Sequence, residues 1–173
     1  MNKTTPLILS SLLALGLLSP AHAAGPNDAQ IAAIVVAANT VDIDAGKLAE
    51  KKAHDKDVRA FAKRMVADHS GVNKQAVALV QKLHVTPEEN DTSKSLTQGG
   101  ATTRTRLAGL SGKAFDKAYV DNEVTYHETV LDALDKTLIP NASNAELKAL
   151  LVKVRPAFVA HLEHAKHIQA ELK

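Results

Sequence analysis

Four long segments of this chain repeat apolar residues at spacings of three and four, which is the period of an α-helix. Ala, Leu, Val, Lys and Glu dominate these segments, and such a composition suits helices. No segment alternates apolar and polar residues as a half-buried strand would. We therefore predict an all-α fold with helices over 27–53, from Asp55 to about Leu83, from after Gly112 to Pro140, and from a Ser143–Glu146 capping box to Leu172.

The connections between these segments differ in length and limit the topology. A tight corner at His54 and Asp55 joins the first two helices, and the sequence IPNAS joins the last two. Between the two pairs lies a polar stretch, 85–111, in which we expect a short helix over 102–110. Fully extended, this stretch can reach roughly 90 Å, whereas a helix of 28 residues is about 42 Å long. The plan is therefore that of a ferritin-like four-helix bundle, with two antiparallel hairpins joined by a long crossover.

The first 23 residues are typical of a secretory signal peptide. Lys3 supplies the basic start, an apolar run covers 6–18, and Ala21-His22-Ala23 forms a small-x-small cleavage signal. Cleavage after Ala23 would leave a mature domain, 24–173, in the periplasm or outside the cell. No later segment is apolar for long enough to predict a membrane span.

Charge and cysteine content narrow the function classes. Lys3 is one of 21 basic residues against 19 acidic ones, so the mature chain is nearly neutral and gives no electrostatic case for nucleic acid as a partner. There is no cysteine, so stability must come from the core. No pattern in the sequence indicates a protein partner.

Every predicted helix carries an ionisable residue on its apolar stripe. These are Asp42 on the first helix, His69 on the second, Glu123 and His127 on the third, and His161 on the fourth. Counted from the corners, all five lie at a similar level of the bundle. An unpaired charge in an apolar interior costs several kcal/mol, but five such groups could pair with one another or share a cation. Imidazole and carboxylate together suit zinc, iron, manganese or Cu(II), so we predict all five as possible metal ligands.

The stretch HLEHAKH, 161–167, contains three histidines but does not predict a three-histidine cluster. One helical turn cannot aim all three side chains inward. His161 lies on the stripe, His164 lies at its flank as a possible second ligand at i, i+3, and His167 faces solvent. Of the neighbouring acids, Asp68 is expected at the edge of its stripe, where it can bridge to another helix, and Asp116 is interpreted as favouring the helix dipole.

Three stretches of the chain are similar to one exported bacterial family. They are VDIDAGKLAEKKAHDKDVRAFAKRMVADHS, AFDKAYVDNEVTYHE and RPAFVAHLEHA, and the family they resemble is domain of unknown function 4142, which is similar to ferritins in fold. By this resemblance, His69, His127 and His161 match the positions at which the family has histidines. Asp42 and Asp44 stand where the family has glutamates, and Tyr126 stands where it often has an acid. The family has no settled biochemical function to carry over.

The sequence leaves two functions open and names no reaction. Ferritin di-iron sites need Glu-x-x-His on two helices, whereas Glu123 and His127 are four residues apart and His69 follows no such glutamate. No activated nucleophile can be identified, so whether the protein is an enzyme stays undecided. The chain is either a metal-binding bundle or a non-catalytic, structural or stress-related envelope protein whose His/acid network stabilises the fold.

Overall fold

A computed structural model describes residues 25–172, and the predicted signal peptide lies outside this range. Within 25–172 the chain forms helices and no strand, which confirms the all-α class. The five long helices are α1 Asp28–Lys52, α2 Lys56–Lys82, α3 Asp91–Ala108, α4 Gly112–Ala133 and α5 Ala145–Glu171. A π-helical turn, Leu134–Leu138, and a last turn, Ile139–Asn141, continue α4 up to the corner.

The helices pack as the predicted bundle of two hairpins. α1 packs along α2, and α4 packs along α5. The hairpins meet through α2 against α5 and α1 against α4, while α3 in the crossover lies mainly on α1. The starts of the first two helices agree with the sequence prediction, since Asn27 caps α1 and Asp55 caps α2.

The crossover contains a longer helix than the sequence analysis predicted. α3 begins at Asp91 rather than near 102, because Asn90 and Ser93 form a capping box ahead of it. It then runs through Gly99 and Gly100, which lie in the polar stretch ahead of the short helix expected there. Gly100 permits close packing on α1, since a Cβ there would lie 2.6 Å from a methyl group of Val41.

The start of α5 differs from the prediction by one residue. The cap is Asn144, whose Oδ1 accepts from the backbone N–H groups of Glu146 at 2.9 Å and Leu147 at 3.1 Å. The predicted capping box at Ser143 is therefore wrong. The N–H of Ser143 donates instead to Asp28 Oδ1 at 2.9 Å, so this residue belongs to the corner rather than to the helix start.

Two aspartates join each hairpin to the corner of the other. Asp116 on α4 is buried, and its two oxygens accept from the N–H groups of His54 and Asp55, each at 2.9 Å. Asp28 at the start of α1 accepts in the same way from Ser143 and Asn144, each at 2.9 Å. The interpretation of Asp116 as a helix-dipole acid is wrong, because its carboxylate binds a corner of the opposite hairpin.

The apolar core consists of two clusters separated along the bundle axis. One cluster, near the α1–α2 corner, includes Phe61, Met65 and Tyr119, and the other includes Ile31 and Leu151. On α1, α2, α4 and α5, buried polar residues lie between the two clusters. The fold thus places a layer of titratable side chains between two apolar layers. None of the helices within the described range is long and apolar enough to cross a bilayer.

We expect Asp116→Ala to lower the free energy of unfolding by about 2–4 kcal/mol, because two buried N–H groups at the corner lose a charged acceptor. Urea unfolding followed by circular dichroism measures the change. Asp132→Ala, an exposed aspartate on the same helix, is the matched control and should stay within about 0.5 kcal/mol of wild type. Equal stability of the two variants would contradict the role given to Asp116.

Candidate metal centre

The structure places all five predicted ligands in the polar layer between the two apolar clusters. The exposed fraction is 0% for His161, 1% for Asp42, Glu123 and His127, and 3% for His69. The centroids of the three imidazole rings lie 5.2 to 5.6 Å apart. Four helices therefore bring five titratable groups to one enclosed position, and what each group offers depends on its hydrogen bonds.

The tautomer of His69 is set by Asn39, a buried residue on α1. The Asn39 side-chain amide donates to the Val35 carbonyl at 2.7 Å, so its oxygen must face the other way. His69 Nδ1 donates to this oxygen at 2.7 Å. Nε2 of His69 therefore carries a lone pair, and this nitrogen lies 3.0 Å from Asp42 Oδ2.

His127 is held in the same tautomer by its own helix. Its Nδ1 donates to the backbone carbonyl of Glu123, one turn earlier, at 3.0 Å. Nε2 is buried without a hydrogen-bond partner and lies 3.6 Å from Asp42 Oδ2. The lone pair of His127 thus faces the same carboxylate as that of His69.

His161 is oriented by Asp68 on α2, in agreement with the expected position of Asp68 at the edge of its stripe. His161 Nε2 donates to Asp68 Oδ2 at 2.9 Å, and Arg64 binds the same oxygen at 3.3 Å. Nδ1 of His161 is then the inward nitrogen, and it is buried without a partner. His161 thus presents the opposite ring nitrogen from the other two histidines.

The three histidines share one arrangement, in which an outer acceptor holds one ring nitrogen and the other faces inward. One ligand atom from each ring lies within 4.8 Å of those from the other two. Metal-binding histidines characteristically have such outer partners, which fix the tautomer and aim the lone pair. Ligand atoms around a tetrahedral ion with bonds of about 2.1 Å lie about 3.4 Å apart. The distances of 3.0 and 3.6 Å from Asp42 Oδ2 to two of the nitrogens are close to that value.

Burial shifts the protonation of every group in the layer. It raises the pKa of Asp42 to about 8, and it raises the pKa of Glu123 well above the usual range, with the Asp42 charge adding to the effect. It lowers the pKa of His127 to about 4 and also lowers the pKa values of His69 and His161. At neutral pH without a cation, the imidazoles are neutral and Asp42 holds a proton that it can donate to His69 Nε2.

A small cavity adjoins the centre, and one tyrosine borders both this cavity and a cleft on the surface. The cavity is lined by Asp42, His69 and His127 among others. Its volume of about 10 Å³ is close to the space that one water molecule needs. Tyr126 lines this cavity and also a surface cleft of about 550 Å³ beneath α3. The Tyr126 hydroxyl donates to the Ala38 carbonyl at 2.8 Å, and this hydrogen bond holds the ring where it borders both spaces.

Sequence reasoning missed the polar contribution of two buried residues, Asn39 in the layer and Tyr119 in the neighbouring apolar cluster. Asn39 lies three residues before Asp42 on the same stripe, and this spacing could have identified it. Tyr119 lies on the predicted apolar stripe of its helix, but its buried hydroxyl has no hydrogen-bond partner. Asp44 is outside the layer, where it pairs with Arg104 on the surface.

The other two histidines of HLEHAKH lie outside the layer, which agrees with the prediction for His167 and argues against His164 as a second ligand. His164 packs edge-on against Phe61, with ring centroids 5.2 Å apart. The His167 side chain is 70% exposed and faces Glu171 on its own helix. Of the three, His161 alone belongs to the centre.

The shifted pKa values predict how the stability of chelator-treated protein depends on pH. The ordinary pKa of histidine is about 6.5. Above this pH the raised pKa values of Asp42 and Glu123 determine how stability changes, because ionising either acid in the core is costly. The free energy of unfolding should therefore fall as pH rises from about 6.5 to about 8.5, by up to about 1.4 kcal/mol per pH unit for each proton that the folded chain keeps and the unfolded chain has released. Below about pH 6.5 the histidines of the unfolded chain take up protons, whereas burial keeps those of the folded chain neutral. This difference acts against the effect of the two acids, and stability should fall as pH drops toward about 4.

Chemical unfolding at a series of pH values in the presence of chelator measures this profile. Asp42→Asn removes one of the two acids and should make the alkaline decline shallower. A wild-type profile that is flat between about pH 6.5 and about pH 8.5 would show that the two carboxyls do not carry protons into the folded core.

Comparisons with known proteins agree with this architecture. No curated protein matches the chain. A crystal structure of a protein from Streptomyces coelicolor, described as a secreted protein of the DUF305 group, has a similar fold with a TM-score of 0.69. The similarity covers 84% of this chain and 93% of that one at 12% sequence identity, so it concerns the fold alone. The model of DUF4142, a domain of unknown function, matches residues 17–168, and the chain therefore belongs to the DUF4142 family.

Proposed function

We propose that this protein is an exported metal-binding bundle that holds a divalent transition-metal ion among His69, His127, His161 and the carboxylates of Asp42 and Glu123. One observation carries the proposal. The three buried imidazoles are each fixed by an acceptor on one ring nitrogen, while their other nitrogens face a common point, and those of His127 and His161 have no partner.

Electrostatics supports a divalent cation in particular. Leaving several polar atoms buried without partners costs about 1–3 kcal/mol each, so the folded chain carries a penalty that a ligand would remove. Two carboxylates that give up their protons would balance the charge of one divalent ion. Neutral imidazoles are the form that binds metal, and burial keeps these three neutral.

Burial of the ligands favours holding an ion over converting a substrate. None of the five predicted ligands is more than 3% exposed, and the adjoining cavity of about 10 Å³ has room for an ion or a water molecule but not for an organic substrate. Export is supported by the signal-like segment 1–23 and by the secreted description of the Streptomyces coelicolor neighbour. A periplasmic or secreted location would suit sequestration of zinc, iron, manganese or copper.

A structural role for the same network is the second candidate. A protonated Asp42 can donate to His69 Nε2 at 3.0 Å, so part of the layer can satisfy itself without any ion. The two functions differ in what the histidines contribute. In the structural role, replacing them changes stability alone, whereas in the metal-binding role it also changes affinity for a cation.

We expect chelator-treated protein without an affinity tag to bind zinc, and His161→Ala to weaken that binding by at least about 100-fold, because an inner ligand is lost. Isothermal titration calorimetry and elemental analysis after dialysis measure affinity and content. Saturating zinc at about 100 times the dissociation constant should stabilise the wild type by about 2.7 kcal/mol.

His167→Ala is the matched control, since His167 lies on the same helix with an exposed side chain. It should bind zinc as the wild type does. If the wild type binds no zinc, iron, manganese or copper, or if His161→Ala and His167→Ala bind equally, the metal-binding function is wrong. The structural role would then remain for the network.

We expect Asp68→Ala to weaken zinc affinity by about 10–100-fold, because His161 loses the acceptor that aims its Nδ1 inward. The metal-free protein should also lose about 1–3 kcal/mol of unfolding free energy, because Nε2 of the buried His161 loses its acceptor, so circular dichroism must show that the variant is folded before zinc is titrated. Glu128→Ala, a half-exposed acid on α4 that pairs with Lys166, serves as the control. Unchanged zinc affinity in Asp68→Ala would remove the positioning role of this carboxylate.

A further inference from the structure

The buried ligand atoms of the centre form two overlapping sets. His69, His127 and His161 offer three atoms within 4.8 Å of one another, and Asp42, Glu123 and His127 offer a second such group. His127 belongs to both sets, and the described residues do not merge into one larger group at that distance. Atoms bound to one ion with bonds of about 2.1 Å lie at most about 4.2 Å apart, so one ion position does not use all five residues equally well.

The two sets differ in chemistry. The first set offers three imidazole nitrogens, which suit zinc, nickel and copper. The second offers two carboxylates and one imidazole, and oxygen ligands suit harder cations such as Mn²⁺. Asp42 lies between the sets, because its Oδ2 is 3.0 Å from His69 Nε2 and 3.6 Å from His127 Nε2.

A buried tyrosine supports the second set independently. The hydroxyl of Tyr119 is fully buried, has no hydrogen-bond partner, and lies on α4 one turn before Glu123. The Tyr119 side chain projects from the same face of α4 as Glu123, because the two residues are four apart in the helix. Both Asp42 oxygens and Glu123 Oε2 likewise lack a conventional hydrogen-bond donor.

On the basis of the proposed metal-binding function, we infer that the core has two adjoining cation positions that share His127. A nitrogen-preferring ion occupies the position formed by the three histidines. An oxygen-preferring divalent ion occupies the position formed by Asp42, Glu123 and His127, with the Tyr119 hydroxyl as an additional oxygen. The identity of the ion thus decides which side of the layer it fills.

Zn²⁺ and Mn²⁺ titrations on the same set of full-length variants test this inference. His161→Ala removes a ligand of the first position alone and should weaken Zn²⁺ binding by at least about 100-fold while changing Mn²⁺ binding by less than about 3-fold. Glu123→Gln should do the reverse, weakening Mn²⁺ far more than Zn²⁺. His127→Ala should weaken both ions.

Tyr119→Phe provides a second test of the oxygen position with almost no change in shape. It should weaken Mn²⁺ binding and leave Zn²⁺ binding as in the wild type. Calorimetry gives the Zn²⁺ affinity, and loss of the free-ion electron paramagnetic resonance signal gives the Mn²⁺ affinity. The affinity of each variant is measured for both ions. A variant that fails to fold is recognised because it loses its affinity for both ions together with its helical circular dichroism signal.

The outcomes separate this inference from the proposed function. If His161→Ala and Glu123→Gln each weaken Zn²⁺ and Mn²⁺ by the same factor, a single mixed shell binds both ions, and the two-position inference is wrong while metal binding stands. Zn²⁺ binding without any Mn²⁺ binding by the wild type would also overturn the second position. If the wild type binds neither ion, both proposals fail.

Discussion

The cost of burying titratable groups governs this structure. Five side chains that water would normally solvate lie in one layer, with apolar clusters above and below them. Each must be neutral, paired or bound to an ion, because an isolated charge in such surroundings is strongly disfavoured. The protein meets this requirement by fixing the outer side of each imidazole with a hydrogen bond. The inward ring nitrogens and the carboxyl oxygens remain close together, and these atoms form the candidate metal centre.

The register of the bundle keeps that layer together. One turn of helix is about 5.4 Å, so a slip of one turn between the hairpins would move His127 away from His69 and Asp42. Asp116 and Asp28 oppose such a slip, because each carboxylate accepts from two consecutive N–H groups at the corner of the opposite hairpin. These two contacts at opposite ends of the bundle connect the packing of the helices to the geometry of the centre.

Much of the fold could be predicted from the sequence because helical periodicity and capping are local signals. Asn27 and Asp55 cap their helices by accepting from backbone N–H groups two or three positions away, so a short stretch of sequence identifies them. The extent of α3 could not be predicted in this way. Its Thr, Ser and Gly content is typical of a loop, and its close packing depends on Gly100 meeting Val41 of α1, which is distant in sequence.

The sequence by itself determined which side chains face the interior, because a stripe at helical spacing fixes the direction of Asp42, His69, Glu123, His127 and His161. The tertiary structure decided what those side chains present to one another. His69 and His161 take their tautomers from Asn39 and Asp68, which lie 30 and 93 residues away on other helices. A ring nitrogen becomes a donor or a lone pair according to the acceptor beside it, and that acceptor is in place only after the helices have packed.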